Sequence, residues 1–395
     1  MDKKPERLVP EVRFKGFTDD WEQHKLGKIM NVTSVKRIHQ SDWQKVGIPF
    51  YRARDVVAIS KGQKISEPIY ISENKYKEFS EISGKVKIND LLVTGVGTIG
   101  VPLLVQKTPL YFKDGNIIWF QNNNQFNGIF LYNAFLTRSI QNFIKTTTGV
   151  GTVPTYTIIT GKETPISFPK PKEQDRIATL LKTAENLITL QQRKLEQLKQ
   201  LKKAILQIIA SNRLLLHTKK VDMIKVRVAD IYKITRGNVL SRSEISNVRT
   251  SKYPYPVYSS QTKNHGLMGY YKNFLFKNAI TWTTDGANAG TVKYRKGRFY
   301  STNVNGVLLS SEGLANQLTA ELLNLVAFKY VSHVGNPKLM NNTMGEIIFN
   351  IPKSVETQQY FSGCIESVID LIGKQEKATD KLNKLKKYLL QKLFI

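Results

Sequence analysis

The sequence predicts an α+β protein: two β-rich α/β domains separated by two long antiparallel coiled-coil helices, with an internal pseudo-two-fold duplication. Three observations lead there. Residues 198–207 read LKQLKKAILQ and residues 382–391 read LNKLKKYLLQ, with six of ten positions identical. The stretches 173–210 and 357–394 around them hold no proline and space their apolar residues three and four apart, the pattern of one helix face. The segments before each helix are short β-branched or aromatic runs punctuated by Gly, Asn and Asp, the pattern of strands and turns.

The repeat reaches beyond the decapeptide. The same offset of 184 pairs Gln174 with Gln358, Ile177 with Phe361, and Leu187-Ile188 with Leu371-Ile372. PISFPKPKEQ (165–174) matches IIFNIPKSVETQ (347–358): an apolar strand, a proline, then a polar turn. Glu173 or Glu356 falls near the helix start, where negative charge suits the helix dipole. HKLGKIMNVTS (24–34) matches VRVADIYKITR (226–236) more faintly, and between these ends the halves diverge. The expected order is a first domain with an N-terminal arm (1–168), a spacer helix (169–213), a second domain (214–351) and a second spacer helix (352–395). Each helix would extend ~55 Å at ~1.5 Å per residue. That exceeds the ~30–40 Å breadth of a compact domain, so the two stripes are expected to pair with each other. Ile188, Leu195, Leu198 and Ile205 on the first helix, and Ile372, Leu382, Leu385 and Leu389 on the second, are the candidate contacts.

Bulk chemistry narrows the partner. Lys and Arg number 59 against 31 Asp and Glu, a formal charge of +28 over 395 residues. A chain this basic suits a polyanion, nucleic acid above all. No apolar run approaches the ~20 residues of a membrane span. The N-terminal MDKKPERLVPEVRF lacks the apolar core of a secretory signal. The single cysteine, Cys364, rules out an intramolecular disulfide and suits a reducing cytoplasm. It lies beside Phe361 and Ile365, as a packing thiol would.

Catalytic motifs are missing. GVGTIG (95–100) fits the dinucleotide pattern and follows a strand-like LLVT, but VPLLVQ comes next where a helix should start. A glycine-rich hairpin is expected instead. There is no phosphate loop, no paired-cysteine or HExxH metal site, and no methyltransferase signature of the NPPY kind. The chain is expected to catalyse nothing and to bind no metal.

Binding chemistry is easier to find. FYRARDV (50–56) sets Arg52 and Arg54 two apart in a strand-like run, so both would face one side. Arginine pairs bidentately with guanine or phosphate. YPVYSSQTKNHG (255–266) offers Tyr258, Ser259, Ser260, Gln261, Lys263 and Asn264, side chains that read base edges and phosphates. TTDGANAG (283–290) offers Asp285 and Asn288, and GNPKLMNN (335–342) offers Lys338 and Asn342. Thr94, Thr148 and Tyr156 belong to the polar loops of the first half, and Arg236 ends the strand-like run that opens the second.

These residues and segments resemble a known family over essentially the whole chain. PEVRFKGFTDDWEQHKLGKI (10–29) is similar to the usual start of the specificity (S) subunit of type I restriction-modification enzymes. IPFYRARDV (48–56) and DLLVTGVGTIG (90–100) look like its first-domain segments. GYYKNFLFKNAITWTTDGANAGTVKYRKGRFYSTN (269–303) looks like a common second domain. PKPKEQDRIATLLKTAENLI (169–188) and PKSVETQQYFSGCIESVIDLI (352–372) look like its two helical regions. One departure is Thr357, where the first copy has Glu173, which bears on a local turn interaction. The resemblance implies two target recognition domains, each reading half of a split site in double-stranded DNA, with the helices as spacer. It implies two methyltransferase (M) subunits that dock here and methylate adenine with S-adenosylmethionine, and restriction (R) subunits that use ATP and Mg. The S subunit itself would bind no cofactor and perform no catalysis. Two other readings stay open on the residues alone: a stand-alone nuclease or methyltransferase with an unrecognised site, and an interaction scaffold with no DNA role.

Overall fold

The computed structural model describes residues 8–148, 154–211, 215–216, 219–260 and 263–395. The chain forms two compact units. One comprises residues up to 191 together with 378–395, and the other comprises 192–377. The spacer helices are therefore not separate pieces, as the boundaries at 169 and 352 would have them. Each unit takes the first half of one long helix and the second half of the other.

In chain order the first unit carries β1 (Glu22–Lys25), α1 (Leu26–Ile29), β2 (Asn31–Thr33), β3 (Ile48–Tyr51), α2 (Ala53–Ser60), β4 (Ile69–Ile71), α3 (Glu73–Ser83) and β5 (Leu91–Thr94). β6 (Pro102–Leu104), β7 (Tyr111–Phe112), β8 (Ile117–Gln121), α4 (Gly128–Phe135), α5 (Arg138–Thr148), α6 (Ile158–Glu163) and β9 (Pro165–Phe168) follow, before the 40-residue helix α7 (Pro171–Ala210). Its strands form a sheet in the order β2-β8-β5-β6, a sheet in the order β4-β3-β7, and the pair β1-β9. Strand periodicity explains why β5 and β8 read as unbroken apolar runs. Leu91, Val93, Ile118 and Phe120 face one core with Phe130 and Leu181, while Leu92, Ile117 and Trp119 face another with Phe50 and Phe112. GVGTIG is the connection between the antiparallel β5 and β6, the expected hairpin and not a strand-to-helix turn.

The second unit carries β10 (Leu215–Leu216), β11 (Lys219–Lys220), β12 (Met223–Arg227), α8 (Val228–Ile231), β13 (Lys233–Arg236), β14 (Tyr255–Tyr258), β15 (Leu267–Tyr271), β16 (Phe276–Thr283) and β17 (Val292–Ser301). β18 (Asn305–Leu309), α9 (Gln317–Ala327), α10 (Asn341–Gly345), β19 (Ile348–Pro352) and the 38-residue helix α11 (Val355–Lys392) complete the chain. One sheet runs β13-β18-β16-β17-β14-β15. Its first four strands repeat β2-β8-β5-β6, and β17-β14-β15 repeats β7-β3-β4, including the parallel pair. The two interiors, which diverge in sequence, thus share one topology. The difference is that β17 is a single ten-residue strand where the first unit has β6 and β7.

The ends of the halves repeat in detail. β1 pairs β9 as β12 pairs β19. The Leu26 amide donates to the Thr164 carbonyl and the Val228 amide to the Ile347 carbonyl, both at 2.9 Å. Gln174 and Gln358 are buried at the starts of α7 and α11. The Gln174 amide donates to the Pro169 carbonyl (2.9 Å) and its oxygen accepts from the Asn127 backbone (3.1 Å), the cap of α4. Gln358 donates to the Pro352 carbonyl (2.7 Å) and accepts from the side chain of Asn316 (3.4 Å), the cap of α9. The Thr357 departure also has a reason. Glu173 is buried and takes a bidentate bridge from Arg13 at 2.7 and 2.8 Å, tying down the N-terminal arm. At the Thr357 position the backbone amide instead donates to Ser354 Oγ.

The long helices run antiparallel within each unit. In the first, Glu185 meets Lys386 at 3.0 Å while Ile177 and Leu181 share a core with Leu393 and Phe394. In the second, Lys199 meets Glu376 at 2.8 Å while Leu206 and Ile209 share a core with Phe361 and Ile365. Each half-helix therefore buries its stripe in a domain core as well as against the other helix. Ile188 is buried, and Leu195, Leu198, Ile205, Ile372, Leu382 and Leu389 are half-buried. Leu385 is 48% exposed, which corrects its place in the stripe. Its neighbour Lys386 takes the inward position and pairs with Glu185, because a straight helix drifts against a fixed heptad spacing. Cys364 is exposed, not packed. No helix among the described residues is long and apolar enough to cross a membrane.

Candidate nucleic-acid interface

The second unit brings some of its sequence-predicted residues close together; the first brings none of its own together. In the second, the hairpin turn between β16 and β17 closes on the 335–338 loop. The Gly286 amide donates to the Pro337 carbonyl at 2.9 Å, the Leu339 amide to the Thr284 carbonyl at 2.8 Å, and Asp285 and Lys338 form a β-bridge. Trp282 Nε1 donates to the Leu339 carbonyl at 2.9 Å from beneath. Asn288 of the hairpin reaches the end of β14, where it lines a cavity of ≈ 100 Å³ with Ser259 and Ser260. Lys338 is exposed, as are Arg236 at the end of β13 and Asn342 in α10. Asn342 lies in a different cleft, beside Ala229 and Ile234. Gln261 falls outside the described residues, and of Lys263 only the backbone is described.

The cavity holds residues that sequence reasoning missed. Lys293 and Arg295 stand two apart on β17, so both point to the same side. Arg295 is only 8% exposed. Its Nε donates to Thr281 Oγ1 at 3.1 Å and its Nη1 to the His265 carbonyl at 3.0 Å. Its guanidinium lies 3.7 Å from the centre of the Tyr258 ring, a cation–π contact. Tyr258 thus supports Arg295 from one side. Burial lowers the Arg295 pKa to about 10 and also lowers that of Lys293, where Arg295 adds repulsion. The His265 carbonyl is aimed by three successive left-handed residues: Asn264 (φ 50°), His265 (φ 54°) and Gly266 (φ 88°). Only the glycine adopts that region without strain. The clue in the sequence was the alternation of Val292, Lys293, Tyr294 and Arg295, which puts two cations on one face of a strand.

In the first unit the predicted candidates other than Arg54 serve the fold. Arg52 and Arg54 do not share a strand face, because β3 ends at Tyr51 and Arg52 caps α2. Arg52 donates to both Asp55 oxygens (2.7 and 3.0 Å) and to the Glu67 carbonyl (2.6 Å). Arg54 is exposed and pairs with Glu67. Thr94 is fully buried; its hydroxyl donates to the Thr98 carbonyl and accepts from the Val101 amide, closing the glycine-rich turn. Thr148 is buried and bonds back to the Ile144 carbonyl. Tyr156 is 1% exposed, with its hydroxyl 2.5 Å from Thr164 Oγ1, and burial pushes its pKa up. Small hydroxyl residues in a tight turn first satisfy that turn's own backbone, and composition alone does not reveal which ones do. Among the described residues no group of three or more His, Cys, Asp or Glu could hold a metal.

Comparison with known proteins follows this geometry. The family model described as the type I restriction modification DNA specificity domain matches twice, at residues 18–200 and 220–385. A protein from Mycoplasma pneumoniae described as the N-terminal part of a type I specificity subunit is 42% identical over 124 residues, 31% of this chain and 65% of its own length. A second type I specificity subunit of that organism is 30% identical over 233 residues, 58% of this chain and 82% of its own. The crystal structure of a type I restriction-modification S subunit from M. genitalium superposes with a TM-score of 0.68 at 15% identity, covering 98% of this chain and 99% of that one. At that identity the likeness concerns the fold.

Proposed function

We propose, from the premise that this chain belongs to the type I restriction-modification DNA specificity family, that each unit reads one half of a bipartite DNA site. The helices α7 and α11 set the number of base pairs between the halves and dock the methyltransferase subunits. S-adenosylmethionine enters with those subunits, ATP and Mg with restriction subunits, and this chain supplies recognition only. The observation that carries the reading is one topology built twice around different loop chemistry, each copy joined to halves of the same two helices. Such a device keeps a spacing while leaving each reading surface free to differ. The charge of +28 supplies the sequence-independent attraction to phosphates. In the second unit the proposed reading surface is made of the 255–260 and 283–290 segments with the 335–339 loop, a grouping that their contacts support.

The test is to map methylated adenines in cells that express the chain with its methyltransferase partner. The expected result is a two-part motif with a fixed gap. A chain with residues inserted between Gln191 and Leu198 should keep both half-motifs and change the gap. Altered half-motifs with an unchanged gap would defeat the ruler reading.

A further inference from the structure

Arg295 has a problem that the fold does not solve. It is nine-tenths buried, and taking a guanidinium out of water is expensive without an opposite charge. Among the described residues no carboxylate forms an ion pair with Arg295 or with Lys293 beside it. Glu321, the acid that does act on Lys293, is held by Lys202 at 2.5 Å and by Gln317 at 3.1 Å. Two neighbouring cations thus line this cavity without a direct ion pair, although both also border a larger cleft that holds Glu321, Asp370 and Glu376.

The cavity's other walls fit one kind of occupant. Its described lining adds five hydroxyl side chains and two amides to the two cations, with no carboxylate and no aromatic ring. Without rings it has nothing to stack a base. Without acids it has nothing to repel an anion. Its volume of ≈ 100 Å³ is well above the ~10–15 Å³ that a single water needs by the same measure. Hydroxyls and amides can donate to an oxyanion while arginine and lysine neutralise it.

We infer that this cavity is an oxyanion site that takes a phosphate group, held by Arg295 and Lys293 with the surrounding hydroxyls. The Tyr258 ring and the left-handed turn at Asn264–Gly266 fix the guanidinium before the phosphate arrives. The inference rests on the proposed DNA reading only for the source of the phosphate, a backbone diester; the anion chemistry does not depend on it.

The experiment uses the full chain, Lys293→Gln and Arg295→Lys. Thermal unfolding is compared in sodium phosphate and in sodium chloride at matched ionic strength. Wild type is expected to melt higher in phosphate, and each variant to lose that difference while still unfolding cooperatively in chloride. Affinity for a 30-base-pair duplex is then measured against salt. Loss of one backbone contact lowers the salt slope of Lys293→Gln by about one and identifies a DNA phosphate. Loss of the phosphate effect with an unchanged slope identifies a free phosphate as the occupant. The site is refuted by a phosphate effect that is absent, or equal in all three proteins, together with unchanged slopes. Failure of wild type to bind duplex at all sinks the DNA reading and leaves the phosphate comparison to decide the site.

Discussion

Arg52 and Arg54 are two residues apart in the chain and have different jobs. Arg52 is 13% exposed and spends its donors on a nearly buried carboxylate and a carbonyl. Arg52→Ala would strand the Asp55 carboxylate in the protein interior, at a cost of about 3 kcal/mol. Arg54 meets Glu67 in the open, and such a pair contributes little. We expect urea unfolding to show a clear loss for Arg52→Ala and no measurable change for Arg54→Ala. Equal midpoints for the two variants would contradict the stabilising role given to the Arg52–Asp55 pair. If the first unit reads DNA as proposed, Arg54 is the one of the pair free to reach it. The residue scale is also where the sequence was hardest to read. Thr94, Thr148 and Tyr156 looked like Arg236 or Lys338, polar groups in polar segments, yet the first three are buried and bonded internally while the last two are exposed.

At the scale of elements, the junction between each domain and its long helix is built from a duplicated part. Gln174 and Gln358 each bind a proline carbonyl behind them and the capping residue of a domain helix beside them. One amide thus connects strand, long helix and domain helix. A leucine there would leave a buried carbonyl without its donor, at ~1–3 kcal/mol. Gln174→Leu and Gln358→Leu should each lower the melting temperature. Hydrogen exchange should show the loss beginning at the start of α4 in the first variant and of α9 in the second. Loss that begins elsewhere would mean that the glutamines do not hold these junctions. The duplication of this part was legible, since the 184-residue offset already aligned the two glutamines. Its chemistry was not, because Asn127 and Asn316 lie more than forty residues upstream of their partners.

At the scale of the whole molecule, the chain's last residues belong to its first unit. Leu393 and Phe394 are buried there, and Phe394 stacks on Phe130 at 5.1 Å with Trp21 edge-on at 6.2 Å. The arm adds to this, with the Val12 amide donating to the Lys392 carbonyl at 2.8 Å and Lys392 paired with Glu11. Phe394→Ala should therefore cost about 3–5 kcal/mol in the first unit, read as earlier exchange of the β5 and β8 amides in denaturant. Unchanged protection in those strands would show that the C-terminal segment is no part of that core. By itself the sequence determined the class of the protein: the duplication, the two amphipathic helices, the β-rich interiors and the basic charge. Those features are local or periodic, set by side-chain spacing within a few turns or strands. Tertiary structure alone decided that divergent interiors share one topology, that each long helix is divided between two cores, and that Arg295 and Lys293 turn into a cavity beside Ser259 and Asn288. Burial depends on which distant segments close over a residue, and no spacing along the chain records that.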